Sequence, residues 1–330
     1  MKPPEFAIYW ARELGTREDS LVQLTDGINS QVFKCGTDSC KWVIKAYRSH
    51  KSGERNRMQA EVEFLQYAQQ VAPGQVPGLI TVDATKNCIV LEHIEGQAYP
   101  AGVHPPDDDV NAAAIFFQNI NSNPSLARQI IQQEAAEGFL SLREHIRNVR
   151  DRLGALGADH LNAELRPKAN KLLSELKHQT NLVEARLEDL ISAGAIEEYL
   201  DPDKRYISPS DFGFHNAIKT TSGVKFIDFE FAGWDDPAKT IADFHLQPQI
   251  PLEDKVSQLL TAINSEHIRI VQIRIKALKP VLRLKWICII LSVLRQERLE
   301  DMMATRPNIC LYSLLRDRLN KADQMLALGN

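Results

Sequence analysis

Cysteine is scarce in this chain of 330 residues: Cys35, Cys40, Cys88, Cys288 and Cys310 are odd in number and scattered. They form no Cys-x-x-Cys or Cys/His spacing, which argues against a disulfide framework or a zinc site and for reduced, structural thiols. Long apolar runs are missing too. The longest, Trp286 to Leu294, is broken by Ser292 and is far shorter than the roughly 20 residues of a membrane-spanning helix. The N-terminus, Met1-Lys2-Pro3-Pro4-Glu5-Phe6, lacks an apolar signal core, so the expectation is an uncleaved, cytosolic protein with no membrane partner. Nor does one sign of charge dominate. Lys and Arg total 39 and Asp and Glu 43, a net charge of -4, which gives no whole-protein reason to expect nucleic acid. Internal repeats and low-complexity tracts are absent.

What is present is an ordinary globular composition, 44% apolar and 25% charged, in a chain long enough for two lobes or one large domain. The first hundred residues read as a small sheet with one helix. Strand patterns run through Leu21–Leu24, Ser30–Cys35, Lys41–Tyr47, Leu79–Asp83 and Cys88–Ile94, with Gly36-Thr37-Asp38 as a hairpin turn. Between Gly53 and Gln70, Met58, Val62, Leu65 and Ala68 recur at helical spacing, widened by Phe64 and Tyr67. From Gly96 onward helical patterns prevail, over 126–153, 163–193 and 252–327. A return to short strands and turns interrupts them at 206–230. A β-rich first third and a helical remainder predict an α+β protein rather than a doubly wound sheet.

Chemistry-bearing residues appear in a fixed order along this frame. Lys45 lies in an apolar strand, on one face with Val43 and Tyr47 by two-residue alternation. Most such lysines merely solubilise an edge; a half-buried ammonium needs a carboxylate. Glu61 supplies one, on the helix face that packs, while Glu63 is expected to point roughly opposite. Asp26-Gly27-Ile28-Asn29-Ser30 precedes Lys45 and is neither a GxGxxG nor a P-loop sequence. Read plainly it is a hairpin turn, but its amides and the Ser30 hydroxyl, with Gly27 and Asn29, could cover phosphate oxygens. Glu92 to Ile94, in the strand joining the two compositional halves, could offer backbone groups to adenine, with His93 a bystander.

Downstream comes Ser208-Pro209-Ser210-Asp211-Phe212-Gly213-Phe214-His215-Asn216, then Ile227-Asp228-Phe229-Glu230. An Asp, an Asn five residues on, and an Asp closing an apolar strand is the layout of a kinase active site. Asp211-Phe212-Gly213 imitates the metal-binding tripeptide of protein kinases, yet it precedes Asn216. Order therefore makes Asp211 the base-like residue and Asn216 and Asp228 the magnesium ligands. Each acid alone reads as an Asx-turn or a strand end. Asp235-Asp236-Pro237 reads as a turn and helix cap, with Asp243 expected to hold catalytic-loop amides. Asp107-Asp108-Asp109, after Pro105-Pro106, reads as a solvated loop.

With these residues the chain resembles the aminoglycoside phosphotransferase and choline kinase-like family, over about Leu21 to Pro248. The resemblance implies a two-lobed protein-kinase-like fold, with a small β-rich N-lobe at 1–95 and a larger, mainly helical C-lobe at 96–330. It implies an ATP- and Mg2+-dependent phosphotransferase acting on a hydroxyl of a small molecule, sugars and amino alcohols among the acceptors. Asp211 would be the catalytic base, Asn216 and Asp228 the metal ligands, Lys45 the phosphate contact, and Glu92 to Ile94 the adenine contact. One departure stands out. The family usually has His-Gly before the catalytic Asp, the His tying the loop to the metal-binding segment, and this chain has Pro209-Ser210. That departure keeps a pseudokinase scaffold in play. The absence of Ala-Pro-Glu and of a long activation segment after Asp228 counts against a protein kinase. A last absence bears on the acceptor: between Glu266 and Glu297 there is no acid but seven cations, including Arg274, Arg283 and Lys285. They face solvent or distant acids, or some line the acceptor site and favour an anionic compound.

Overall fold

Alternating apolar residues in the first hundred positions build one antiparallel sheet in the computed structural model, which describes residues 3–26, 30–37, 40–48, 55–252, 256–305 and 310–328. A helix the sequence reading did not anticipate, α1 (Glu5–Glu13), comes first. The strands β1 (Val22–Asp26), β2 (Ser30–Gly36) and β3 (Lys41–Tyr47) follow, then α2 (Arg57–Val71), β4 (Leu79–Asp83) and β5 (Cys88–Glu92). The sheet order is β1-β2-β3-β5-β4. Register sets Lys45 opposite Val32 on β2 and Ile89 on β5. Ile44, one residue earlier and so on the other face, joins Ala11, Cys35 and Val90 in a buried cluster beneath α1. The apolar side of the sheet thus goes to α1 and leaves the Lys45 side for α2. Asn56 caps α2, its side chain accepting from the Gln59 N–H.

The next elements are β6 (Gln97–Ala98), α3 (Asp107–Asn119), α4 (Pro124–Ile130), α5 (Leu142–Gly154) and α6 (Arg166–Ser192). The three acids at 107–109 are the first turn of α3 rather than a solvated loop. There their charge meets the positive end of the helix dipole. Asp109 is buried and accepts from Lys219 at 2.6 Å and from the Tyr99 hydroxyl at 2.8 Å.

Short strands then return: β7 (Tyr206–Ser208), β8 (Ala217–Thr220), β9 (Gly223–Phe226) and β10 (Gly233–Asp235). β8 and β9 form a hairpin, with β6 alongside β8, and β10 pairs with β7. Five further helices follow among the described residues: α7 (Pro237–Leu246), α8 (Val256–Leu260), α9 (Ile268–Ile290), α10 (Gln296–Thr305) and α11 (Leu311–Ala327). α9 runs through Pro280.

The chain groups into two compact units, each from separate segments. The first comprises Met1–Gly138, Tyr206–Asp235 and Ser257–Ile263, and the second the remainder. The segment Tyr206–Asp235 clusters with the five-stranded sheet. The second unit is built on α5, α6, α7, α9 and α11. Its core holds an unusual share of charge. Asp236 caps α7 with Pro237 at its first position, and its other carboxylate oxygen accepts from Arg274 Nε at 2.7 Å. Asp243 accepts from Lys285 and from Trp286 Nε1, with Lys239 at 3.7 Å. Asp243 therefore does not serve catalytic-loop amides as expected; two buried ammoniums and an indole claim its carboxylate. Arg274 and Lys285 are likewise spent inside the unit. They are not available to an anionic acceptor, because their partner acids come from α7 and its cap. Among the described residues, no helix is long and apolar enough to cross a membrane.

Candidate active site

Lys45 is 5% exposed, so its ammonium has lost nearly all its water. Left unpaired it would cost several kcal/mol. It is not unpaired: Nζ lies 2.5 Å from Glu61 Oε2, 2.5 Å from Asp228 Oδ1 and 3.6 Å from Glu230 Oε2. Burial pushes the Lys45 ammonium down, but Asp228, Glu61 and Glu230 together outweigh it and hold the group charged above its ordinary range. The Tyr47 hydroxyl donates to Glu61 Oε2 at 2.6 Å. Burial first, and then Glu61, keep that phenol protonated well above its usual range. Glu61 is 1% exposed, and its Oε2 accepts from both Lys45 and Tyr47, as the inward helix face predicts. Glu63 takes other partners. It is buried, accepting from Gln59 Nε2 at 2.7 Å and from the Gln132 N–H at 3.1 Å, because α2 is covered on that side as well.

A hairpin assembles the other half. β8 and β9 pair from Thr220↔Gly223 back to Ala217↔Phe226. The residues flanking its open end, Asn216 and Ile227, are joined by the Ile227 N–H to the Asn216 carbonyl at 2.9 Å. Asn216 is thereby set next to the peptide that precedes Asp228. Asp211 reaches the same end through Asn216, whose Nδ2 donates to the Asp211 carbonyl at 3.0 Å and to Oδ2 at 3.3 Å. Phe212 and Phe214 anchor the intervening loop. Phe212 packs on Phe116, Phe117 and Phe226, and Phe214 on Tyr99 and Phe226. Phe212 is 2% exposed and packed among these rings.

Backbone strain marks the two acids' neighbourhood. Ser210 (φ 65°) and Asp228 (φ 67°) are left-handed, a conformation that costs a non-glycine residue about 1–3 kcal/mol. Ser210 stands where the resembled pattern has glycine, which takes that conformation freely. Here Ser208 Oγ accepts from the Ser210 N–H at 3.0 Å, and Ser210 Oγ donates to the Ala136 carbonyl at 3.1 Å.

Four contributors carried no signal strong enough to single out. Tyr47 and Glu230 sit two residues after Lys45 and Asp228 and share their faces, the one cue available. His215 lies with Nε2 3.1 Å from Asp211 Oδ1. Arg55 forks its guanidinium across the backbone carbonyls of Glu134, Glu230 (3.3 Å) and Ala232, fastening the start of α2 to the segment after Asp228. That contact joins distant residues and leaves no periodic trace.

The remaining expected residues are less tightly gathered. Gly27 and Asn29 lie outside the described residues. Ser30 begins β2, half-buried, in register with Tyr47. Glu92 closes β5; its N–H donates to the Gly78 carbonyl at 2.8 Å and its carboxylate accepts from the Gly78 N–H at 3.1 Å. Ile94 is buried. A cavity of about 230 Å3 lies elsewhere, in the second unit, where Tyr199, Ile273 and Arg274 line it, and contains none of these residues.

The donor set suits magnesium. Glu61, Asp228 and Glu230 place carboxylate oxygens within 4.8 Å of one another. Three carboxylates against one ammonium leave two negative charges, which a divalent cation would balance. Asp228, half-exposed, and Asn216 offer hard oxygen ligands of the kind magnesium takes beside nucleotide phosphates. Glu61 is spent on Lys45 and Tyr47 and fits a support role better than ligation.

Comparison with solved structures places the fold. The choline kinase of Cryptosporidium parvum superposes over 98% of this chain and 97% of its own, with a TM-score of 0.58 at 14% identity. A spectinomycin phosphotransferase, solved with ADP and spectinomycin, matches over 92% of each chain with a TM-score of 0.57 at 13% identity. An ethanolamine kinase of Plasmodium vivax matches over 96% of this chain and 85% of its own, with a TM-score of 0.54 at 15% identity. This is the protein-kinase-like fold of the choline kinases and aminoglycoside phosphotransferases. No protein-family model matches the sequence, and no curated protein matches it. At these identities the likeness lies in the fold, and the chemistry must be argued from the side chains.

Proposed function

We propose that the chain is an ATP- and magnesium-dependent kinase that moves a γ-phosphoryl group to a hydroxyl of a small molecule. The observation that carries this reading is the single ion-pair cluster in which Lys45 meets Glu61 from α2 and Asp228 from the end of the β8–β9 hairpin. A lysine caged by a helix glutamate and a metal-type aspartate serves one purpose well: presenting a fixed positive charge to phosphate oxygens. Glu61 and Tyr47 hold the ammonium in place. Asp228 and Asn216 would hold magnesium, which when bound neutralises charge on the phosphates. Asp211, part-exposed at the same hairpin end, orients the acceptor hydroxyl and takes its proton as the phosphoryl group moves. Ser30, with Gly27 and Asn29, covers the phosphates. Since the Glu92 N–H already serves Gly78, adenine is left the Glu92 carbonyl and the peptide of Ile94. The N-lobe at 1–95 and C-lobe at 96–330 are the functional division this reading implies.

The similar structures include complexes with ADP and with AMP-PNP, which supports a nucleotide donor. Their names specify choline, ethanolamine, spectinomycin and hygromycin B, all small hydroxyl compounds. A sugar or sugar derivative is the acceptor class favoured here. The test is ADP release from Mg-ATP with a panel of sugars, amino sugars and amino alcohols, against protein acceptors and water. Turnover on small hydroxyl compounds is expected. Release that only a protein substrate stimulates would overturn the reading, and so would nucleotide binding without any release.

A further inference from the structure

In the segment that carries Asp211, Phe212 and Phe214 are buried in the aromatic cluster, and Asp211 and His215 flank them on either side in sequence. His215 Nε2 lies 3.1 Å from Asp211 Oδ1, while Asn216 Nδ2 donates to Oδ2 at 3.3 Å. Both oxygens of the carboxylate therefore face a nitrogen from the same loop. The His215 side chain is 9% exposed, and neither ring nitrogen makes a well-aligned hydrogen bond among the described residues, so Asp211 Oδ1 at 3.1 Å is the polar contact that Nε2 has within reach. A buried imidazole with one polar neighbour in reach is held there for that neighbour. The resembled family carries its histidine two residues before the Asp, at the position of Pro209. This chain instead carries one four residues after it, against the carboxylate itself.

On the kinase reading above, we propose that His215 is a positioning residue for Asp211. A small turn of the ring would let its Nε2–H donate to Oδ1 while Asn216 donates to Oδ2, so that the carboxylate is clamped from both sides. Carboxylate torsions are otherwise broad and two-fold, and the clamp selects one orientation before the acceptor arrives. His215 touches neither nucleotide nor acceptor; its effect passes through Asp211. It should therefore govern kcat and leave nucleotide binding alone.

The experiment combines ADP release from Mg-ATP, with water or a panel acceptor, with imidazole 15N spectra of the wild type. His215→Leu keeps the buried volume without the donor and should lower kcat by about 10- to 100-fold, with KM for Mg-ATP changed by less than about twofold. His215→Gln restores an amide N–H at similar reach and should recover most of that loss. In an Asp211→Asn background, His215→Leu should cost nothing further. The spectrum should show the proton on Nε2. Losses that multiply across the two sites would overturn the proposal, as would a His215→Leu enzyme as fast as wild type. If His215→Leu does not fold, a wild-type ring protonated on Nδ1 alone overturns it independently. If instead the wild type shows the Nε2 proton but releases no ADP with any acceptor, the kinase reading fails and the contact is structural only.

Discussion

Asp211 and Asp228 are both part-exposed acids at one end of the same hairpin, yet their partners differ. Asp211 faces amide and imidazole nitrogens, whereas Asp228 faces a buried ammonium. Their variants should differ accordingly. Asp211→Asn is expected to keep Mg-nucleotide affinity and lose about 10²- to 10⁴-fold in turnover. Asp228→Ala is expected to abolish magnesium-dependent nucleotide binding in calorimetry. If Asp211-Phe212-Gly213 marked the metal ligand, the two phenotypes would be exchanged. Lys45 and Glu61 should couple. In Glu61→Ala the ammonium keeps Asp228 and Glu230 and is drawn toward the metal side, so Lys45→Ala adds less there than alone. A coupling of about 0.5–3 kcal/mol in kcat/KM is the expected result, and strict additivity would reject the pair. This pair was legible in the sequence because strand and helix periodicities each aim one residue inward. Tyr47 completes the pair but looks like any strand tyrosine, and nothing in the sequence singles out His215 between Asp211 and Asn216.

Elements were legible where a period repeats and illegible where a single contact decides. The five strands of the first sheet and the α2 stripe follow from alternation and helical spacing. α1 is short and amphipathic in a segment judged only for signal character. The acids at 107–109 follow two prolines, which resembles a loop until the helix dipole behind them is known. Arg55 is the sharpest case: nothing in its neighbours says that it ends at carbonyls 134, 230 and 232. Lysine cannot reproduce that fork, because one ammonium cannot reach three divergent carbonyls. Arg55→Lys should therefore leave part-buried carbonyls unsatisfied and lower the unfolding free energy by about 1–3 kcal/mol. A shifted denaturant midpoint at unchanged slope is the measurement. An unchanged midpoint would show the clamp to be energetically idle.

At the scale of the whole molecule, the site residues belong to one compact unit and a charged core to the other. That second core was the least legible part. An acid-free helical stretch reads as solvated, and the acids that pair with Arg274 and Lys285, Asp236 and Asp243, come from another helix. His145 sits in this core, 2% exposed, with Nε2 3.2 Å from the Phe139 carbonyl. Burial is the main cause that pushes its pKa well below the ordinary value, and the nearby cations Lys239, Lys285 and Arg274 push it further. Asp243, which binds both lysines, is the acid within that group. The sign of the consequence is fixed. Above about pH 6.5 the imidazole is neutral in both folded and unfolded chains and contributes no slope. Below it the unfolded chain takes up a proton that the buried ring refuses, so stability falls as pH drops through the unfolded value toward the folded one. One such group contributes up to about 1.4 kcal/mol per pH unit in that window. His145→Gln keeps an N–H for the Phe139 carbonyl and cannot titrate. Its stability deficit relative to wild type, measured by urea unfolding, should therefore shrink between pH 7 and pH 5. A deficit constant across that range would mean that His145 is not buried neutral among these cations.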